Sequence, residues 1–295
     1  MSQSATSRPR RSALYMPGSK PRALEKARGL PADSLILDLE DAVPPAEKVA
    51  ARQTVADALA EGGYGMREIV IRVNGLDTEW GADDLTAAAA CKPDAVLIPK
   101  VDSAAMISDV AGRLEAAGAP ASTAIWAMME TPLGMLNAAE IAASPRLTCM
   151  VMGTNDLVKE LGAAHTETRL PVVTGLGLCM LAARAHGLAI LDGVYNAFRD
   201  LEGLKAECEQ GLDFGFDGKT LIHPGQIETT NEVFAPSAEE IALAESYVTA
   251  FAEVEAAGQA VAVVDGKIVE NLHVETAKAL LQRAKAIKEL EADIT

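Results

Sequence analysis

Short apolar runs alternate along the chain with longer stretches whose apolar positions recur every three or four residues. The short runs, 12–16, 35–39, 69–73, 95–99, 124–129, 148–152, 188–191 and 219–222, read as eight strands. They are nearly continuous in apolar residues, as strands covered on both faces must be. Between them, 21–29, 46–61, 103–117, 132–143 and 172–186 carry helical periodicity. Pro21 suits a first helical turn, and Gly187 follows a stretch ending at His186. The strands recur about every 30 residues, the length of a βα unit. Eight such units predict an α/β fold, a (β/α)8 TIM barrel, over 1–235. A doubly wound sheet is the alternative, but no G-x-G-x-x-G follows the first strand.

Beyond the barrel the rhythm changes. Residues 236–257 read as a helix, AVAVVDGKIVE alternates around Asp265-Gly266, and 272–292 read as a last helix. An Asp-Gly pair between alternating runs is a two-residue hairpin signal. This C-terminal helix–hairpin–helix extension, 236–295, is surplus to a barrel and is expected to act as a lid or as an oligomerisation arm.

Composition narrows the function. Of the 295 residues 49% are hydrophobic, enough for a sizeable core. A net charge of −16 repels polyanions, so no nucleic-acid partner is expected. The four cysteines form no C-x-x-C pair and suggest neither a zinc site nor a disulfide framework. Reduced thiols in a cytoplasmic protein are the expectation. No apolar run approaches the roughly 20 residues of a membrane span, so no membrane partner is expected. The opening MSQSATSRPRRS lacks the apolar stretch of a secretory signal and reads as a short disordered tail.

Barrel enzymes carry their chemistry at the carboxyl ends of the strands. Here those ends hold Tyr15, then Asp38, Glu40 and Asp41, then Arg72 and Asn74, then Lys100, Glu130, Asp156, Asp192 and His223. Residues i and i+2 of a strand share a face, which pairs Asp38 with Glu40 and Arg72 with Asn74. So many acids at one level repel one another unless water, basic partners or a metal offset them. The four histidines lack metal-ligand spacing, so a metal here would be held by oxygen, which favours Mg2+ or Mn2+ over zinc. Glu130 and Asp156, from consecutive strands, are the candidate ligands, with Asp38, Glu40 and Asp41 around the metal's waters. Taken singly, each acid serves equally well as a helix cap or a surface ion pair. Arg72 stands in the otherwise uncharged strand segment IVIRV. It either clamps a substrate carboxylate or pairs with Asp38 or Glu40. His223 reads as a turn-stabilising residue. The first 28 residues hold seven basic residues and one acid. Arg22 and Lys26 are four apart on one predicted helix face, with the loop PGSK ahead of it, a setting that suits phosphates or a merely solvated face.

Several segments together resemble one family. RSALYMPGSKPRALEKA, LILDLEDAV, VIRVNG, LIPKV, METPLGMLNAAEIA, MGTNDL, DGVYNAFRD and GFDGKTLIHPGQI are similar to the citrate lyase β-subunit-like proteins of the HpcH/HpaI aldolase superfamily. Within that group the chain resembles the malyl-CoA lyases and (3S)-malyl-CoA thioesterases, and CMVMGTNDLVKELG and VVDGKIVENLH favour the thioesterase branch. The resemblance implies a Mg2+-dependent barrel acting on acyl-CoA thioesters, with Mn2+ as an alternative ion. It implies Glu130 and Asp156 as metal ligands and Arg72 on the substrate carboxylate. It implies CoA contacts by Tyr15, Arg22 and Lys26 with segment 47–50 nearby; Lys48 is expected among those contacts, and Asp38 and Glu40 are expected to do catalytic work beside Arg72. It also implies a homo-oligomer, a trimer or hexamer, in which a tail residue reaches a neighbouring subunit. That tail residue is an aspartate in the lyases. Here the run GKIVE places Glu270, one methylene longer, at the position. A shift of roughly 1 Å in a reacting carboxylate is enough to change an outcome. The expectation is therefore hydrolysis of (3S)-malyl-CoA to malate and CoA, with Glu270 activating water. The alternatives are malyl-CoA or β-methylmalyl-CoA lyase, a citrate or citramalyl-CoA lyase β-subunit, a pyruvate-type metal aldolase, and a non-catalytic CoA-binding scaffold.

Overall fold

The structure, a computed structural model, describes residues 8–256 and 260–294. The expected amino-terminal tail falls largely on residues 1–7, outside the described residues, as does Ala257 at the end of one predicted helix. The described residues fall into two compact units, Arg10–Phe234 and Ala235–Asp293.

The first unit is a closed barrel of eight parallel strands. They are β1 (Ser12–Pro17), β2 (Ser34–Asp38), β3 (Glu68–Arg72), β4 (Ala95–Ile98), β5 (Ala124–Met129), β6 (Leu147–Met152), β7 (Ala189–Asp192) and β8 (Gly218–Leu221), and β8 returns to pair with β1. Strand alternation divides the apolar residues into two cores. Ile36, Val70, Leu97, Trp126, Met128, Val151 and Leu191 point inward and fill the barrel. Their neighbours Leu35, Leu37, Ile71, Val96, Ala127, Met150 and Ile190 point outward and pack under the helices. Period-2 alternation then fixes where the strand-end polar residues go. Asp38 follows Ile36 on the inner face, Arg72 follows Val70, and Glu130 follows Met128.

Between the strands, Pro21–Ala27, Lys48–Glu61, Ala104–Ala116 and Val173–Ala185 form the expected helices. The stretch expected as one helix over 132–143 is two, Pro132–Leu136 and Ala138–Ala142, broken at Asn137. Asn137 reaches across to accept this break, donating its side-chain amide to the carbonyl of Asp102. Four helices fall outside the expected stretches: Gly81–Cys91, Thr154–Glu160, Ile227–Phe234 and Leu201–Phe214. The first draws its buried face mainly from alanine and one leucine, and the last buries Leu204, Cys208 and Gly211, a stripe at helical spacing with a single large apolar side chain.

The second unit contains helices Ala238–Ala256 and Asn271–Ile294, with a two-stranded hairpin of β9 (Ala262–Val264) and β10 (Lys267–Val269). Asp265 and Gly266 both take positive φ, 48° and 73°, as a type I′ turn requires. Phe251, Ala262, Val269 and Val274 form its small buried core. Among the described residues no helix is long and apolar enough to cross a membrane.

Candidate active site

The acidic run after β2 finds its main counterion one strand away. Asp38 and Arg72 are register partners on β2 and β3. The guanidinium meets Asp38 through two parallel bonds, Nε to Oδ1 and Nη2 to Oδ2, each 2.6 Å. Nη1 lies 2.7 Å from Glu40 and 3.5 Å from Asp41. The Glu40 oxygen is close without the alignment of a hydrogen bond. Asp38 is fully buried and also accepts the backbone N–H groups of Glu40 and Ala42, both at 2.9 Å, so the strand rolls into a tight acidic turn. Tyr15 covers the other side of the guanidinium, its ring 4.6 Å away. Of the two readings of Arg72, pairing with Asp38 and Glu40 is what the geometry displays. Three of its five N–H groups face those carboxylates, which leaves two for a ligand.

Glu130 stands across the mouth, buried, with Oε1 accepting the backbone N–H of Lys100 at 2.8 Å. Lys100 holds that N–H in place from a left-handed backbone, φ 51°. Gly153, just past β6, lets Glu130 approach. A Cβ on that glycine would overlap the Glu130 carboxylate. Asp156 sits three residues on, in the first turn of helix Thr154–Glu160. Glu130, Asp156, Asp38, Asp41, Arg72 and Tyr15 all line one cavity of about 300 Å³, joined by Asn155, Asn196 and Thr220.

This cluster is short of positive charge. Burial pushes Glu130 up to about 8, with the neighbouring Glu40 and Asp156 adding to it. Burial likewise pushes Glu40 up to about 7, against the pull of Arg72. The exposed Lys100 ammonium is raised by the fields of Asp156, Glu130, Glu40 and Asp41, outweighing its partial burial. Among the described residues no group of three or more His, Cys, Asp or Glu side chains makes a complete metal cage. Two carboxylates facing one cavity, crowded by further acids, fit instead the habit of Mg2+, which takes one or two carboxylates and completes its shell with water and substrate oxygens.

Other expected site residues lie elsewhere. Lys48 is buried, and its ammonium donates to the carbonyls of Leu39 and Glu40 and to Asn74 Oδ1, at 3.1, 2.7 and 2.8 Å. Its three donors are fully engaged within the protein. Arg22 and Lys26 are exposed on the first helix, and Lys20 beside them pairs with Glu47. Asp192 does not join the mouth. It shares the outward face of Ile190 and is held fully buried by Lys219 and Arg169. Its carboxyl is lowered by those two cations despite the burial that opposes it. His223 accepts the backbone N–H of Gly225 and closes a capping box with Gln226, so it shapes a turn. Glu270 belongs to the second unit, where it is exposed and its backbone N–H donates to His273 Nδ1. Sequence reasoning missed Asn155 and Asn196, whose amides bond reciprocally at 3.1 and 2.8 Å across the cavity wall. No motif spacing marks a pair 41 residues apart.

Comparison with known proteins agrees with this architecture. The family model described as HpcH/HpaI aldolase/citrate lyase matches residues 11–224. A (3S)-malyl-CoA thioesterase of Cereibacter sphaeroides (strain KD131 / KCTC 12085) is 61% identical over 284 residues, covering 96% of this chain and 98% of that protein. The citrate lyase subunit beta of Leuconostoc mesenteroides subsp. cremoris is 35% identical, covering 94% of each. The crystal structure of CitE from Mycobacterium tuberculosis, in complex with magnesium, acetoacetate and coenzyme A, superposes with a TM-score of 0.73 at 30% identity, covering 93% of this chain and 97% of that one. With the closed barrel, the acidic mouth and these matches in hand, the chain belongs to the HpcH/HpaI aldolase/citrate lyase family.

Proposed function

We propose that this chain hydrolyses the thioester of (3S)-malyl-CoA, or of a close relative, to malate and free CoA. The observation that carries this reading is the end-to-end likeness to a (3S)-malyl-CoA thioesterase, 61% identical across 96% of this chain. The cavity at the barrel mouth supports it with the right chemistry. Glu130 and Asp156 would hold a divalent cation, Mg2+ or Mn2+, which when bound supplies Lewis acidity and a template for substrate oxygens. CitE, at 30% identity, was crystallised with magnesium and coenzyme A.

Arg72 would receive the free carboxylate of the malyl group through the N–H groups left over from Asp38 and Glu40. Held on two sides by carboxylates and on a third by Tyr15, it needs no reorganisation to do so. Burial and nearby carboxylates raise the Tyr15 phenol, against the pull of Arg72, so it stays protonated and offers a neutral donor to the cavity. Arg22 and Lys26, both exposed, are the candidate contacts for the phosphates of CoA. Glu270 is the candidate base. Its proton abstraction from water would let the oxygen attack the thioester carbonyl, after which the C–S bond breaks and the thiolate leaves, to be protonated. A homo-oligomer and a cytoplasmic location belong to the same reading.

The test assays purified protein with (3S)-malyl-CoA and Mg2+, following free thiol and glyoxylate separately. Thiol release without glyoxylate, lost with EDTA and in Glu130→Ala, is the expected result. A Glu270→Gln variant is expected to bind CoA normally and release thiol at least tenfold more slowly. Glyoxylate without free thiol would overturn hydrolysis in favour of carbon–carbon cleavage.

A further inference from the structure

The acidic turn that grips Arg72 is itself gripped from behind. Lys48 is the first residue of helix Lys48–Glu61, an end where the helix dipole disfavours a cation. It is nevertheless buried there. Its ammonium takes the carbonyls of Leu39 and Glu40, the two residues that follow Asp38. The Leu39 carbonyl receives a second donor from the amide of Asn74, and Asn74 Oδ1 faces Lys48 in turn. Asn74 is fixed by Asp84, which accepts both its backbone and its side-chain N–H, and Asp84 is fixed by Arg52. Trp80 lies over the ammonium, 5.2 Å from its ring centre. The chain Glu40–Lys48–Asn74–Asp84–Arg52 thus ties the acidic turn to two helices.

From this geometry we infer that Lys48 is a positioning residue: it holds the 38–42 turn so that Asp38 and Glu40 aim Arg72 into the cavity, and it makes no contact with CoA. An ammonium has three donors, and all three are engaged on backbone and amide oxygens, which carry no charge that a ligand phosphate would replace. Removing it takes one donor from each of two backbone carbonyls, leaving Leu39 O to Asn74 and Glu40 O to the N–H of Val43, and lets the turn relax. Asp38 and Glu40 then no longer fix one orientation of the guanidinium, and a displacement of about 1 Å at such a group is enough to slow a reaction roughly 100-fold. The kinetic part of this inference rests on the malyl-CoA reading; the structural part does not.

The experiment compares wild type with Lys48→Met and Asn74→Leu by three measurements. Amide hydrogen exchange of residues 38–43 is expected to rise at least tenfold in both variants, while helix 104–116, remote from the turn, stays unchanged. Turnover of (3S)-malyl-CoA is expected to fall at least tenfold in kcat/KM, with the calorimetric Kd for free CoA, which lacks the malyl carboxylate, within about twofold of wild type. Combining the substitutions should give little further loss, since they break one chain. A tenfold weaker Kd for CoA in Lys48→Met, with exchange at 38–43 unchanged, would overturn the inference and return Lys48 to the CoA site. Absence of turnover in the wild type would sink the malyl-CoA reading alone, because the exchange and CoA-binding measurements still decide the role of Lys48. Loss of the folded state in Lys48→Met would leave the decision to Asn74→Leu, whose exchange pattern alone supports or refutes the turn-holding role.

Discussion

Replacing Arg72 by lysine keeps the charge and removes the fork. The guanidinium makes two parallel bonds to Asp38 at 2.6 Å and approaches Glu40 at 2.7 Å through a different nitrogen. An ammonium is a point donor on a flexible stem and reaches one of these carboxylates well. At least one charge-assisted bond on a fully buried carboxylate is lost, worth about 1.5–3 kcal/mol. Asp38 keeps its two backbone N–H donors, so the loss stays below the roughly 3–5 kcal/mol expected when a buried ion pair loses one partner outright. Arg72→Met is that larger perturbation. With a urea m-value near 3 kcal/mol/M, Arg72→Lys should lower the unfolding midpoint by about 0.5–1 M and Arg72→Met by more than about 1 M. The assay is urea unfolding followed by circular dichroism, with Asp38→Asn completing a double-mutant cycle. Asn leaves a neutral acceptor for the backbone N–H groups, so Asp38→Asn/Arg72→Met should be more stable than Arg72→Met alone. If Arg72→Met unfolds at the wild-type midpoint, or if Asp38→Asn makes it worse, the charge accounting at this turn is wrong.

Three further outcomes follow from the same contacts. Burial raises Glu40 from 4.5 to about 7 in the fold, so the folded state binds its proton more tightly than the unfolded chain; that stability is present below about 4.5 and lost as pH rises through about 7. Metal-free protein should therefore show a falling urea midpoint across that window, shallower in Glu40→Gln, with the remaining slope due to Glu130, which burial raises to about 8. Gly153→Ala puts a methyl group against the Glu130 carboxylate, and should weaken Mn2+ binding at least tenfold by calorimetry and destabilise the fold by about 1–3 kcal/mol. Lys219→Met leaves Asp192 buried with Arg169 as its one remaining cation, and should destabilise by about 3 kcal/mol without changing CoA affinity.

Much of the barrel was legible in the chain. Every strand recurs at its expected place because a strand buried on both faces needs a continuous apolar run, and little else in a polar sequence looks like one. The hairpin was legible because two positive φ angles in succession call for Asp-Gly or its like. Helices Gly81–Cys91 and Leu201–Phe214 were not, because each buries a single leucine beside small or polar residues, glycine, alanine and Asp84 in the first and cysteine and glycine in the second, which weakens the 3.6-residue signal.

The site divides along the same line. Alternation along a strand is a local property, so the sequence by itself determined that Asp38, Arg72 and Glu130 top the inner face of the barrel. What it left open was partnership, which depends on register between strands and on loops that no period describes. Register set Asp38 opposite Arg72, so an arginine, rather than a metal alone, offsets the acidic turn. Parity at the end of β7 turned Asp192 outward to Lys219, away from the mouth it was expected to join. A helix beginning at Lys48 carried that ammonium behind the turn, where three uncharged oxygens enclose it. Burial and counterions are sums over neighbours distant in the chain, and only the closed barrel brings those neighbours within bonding distance.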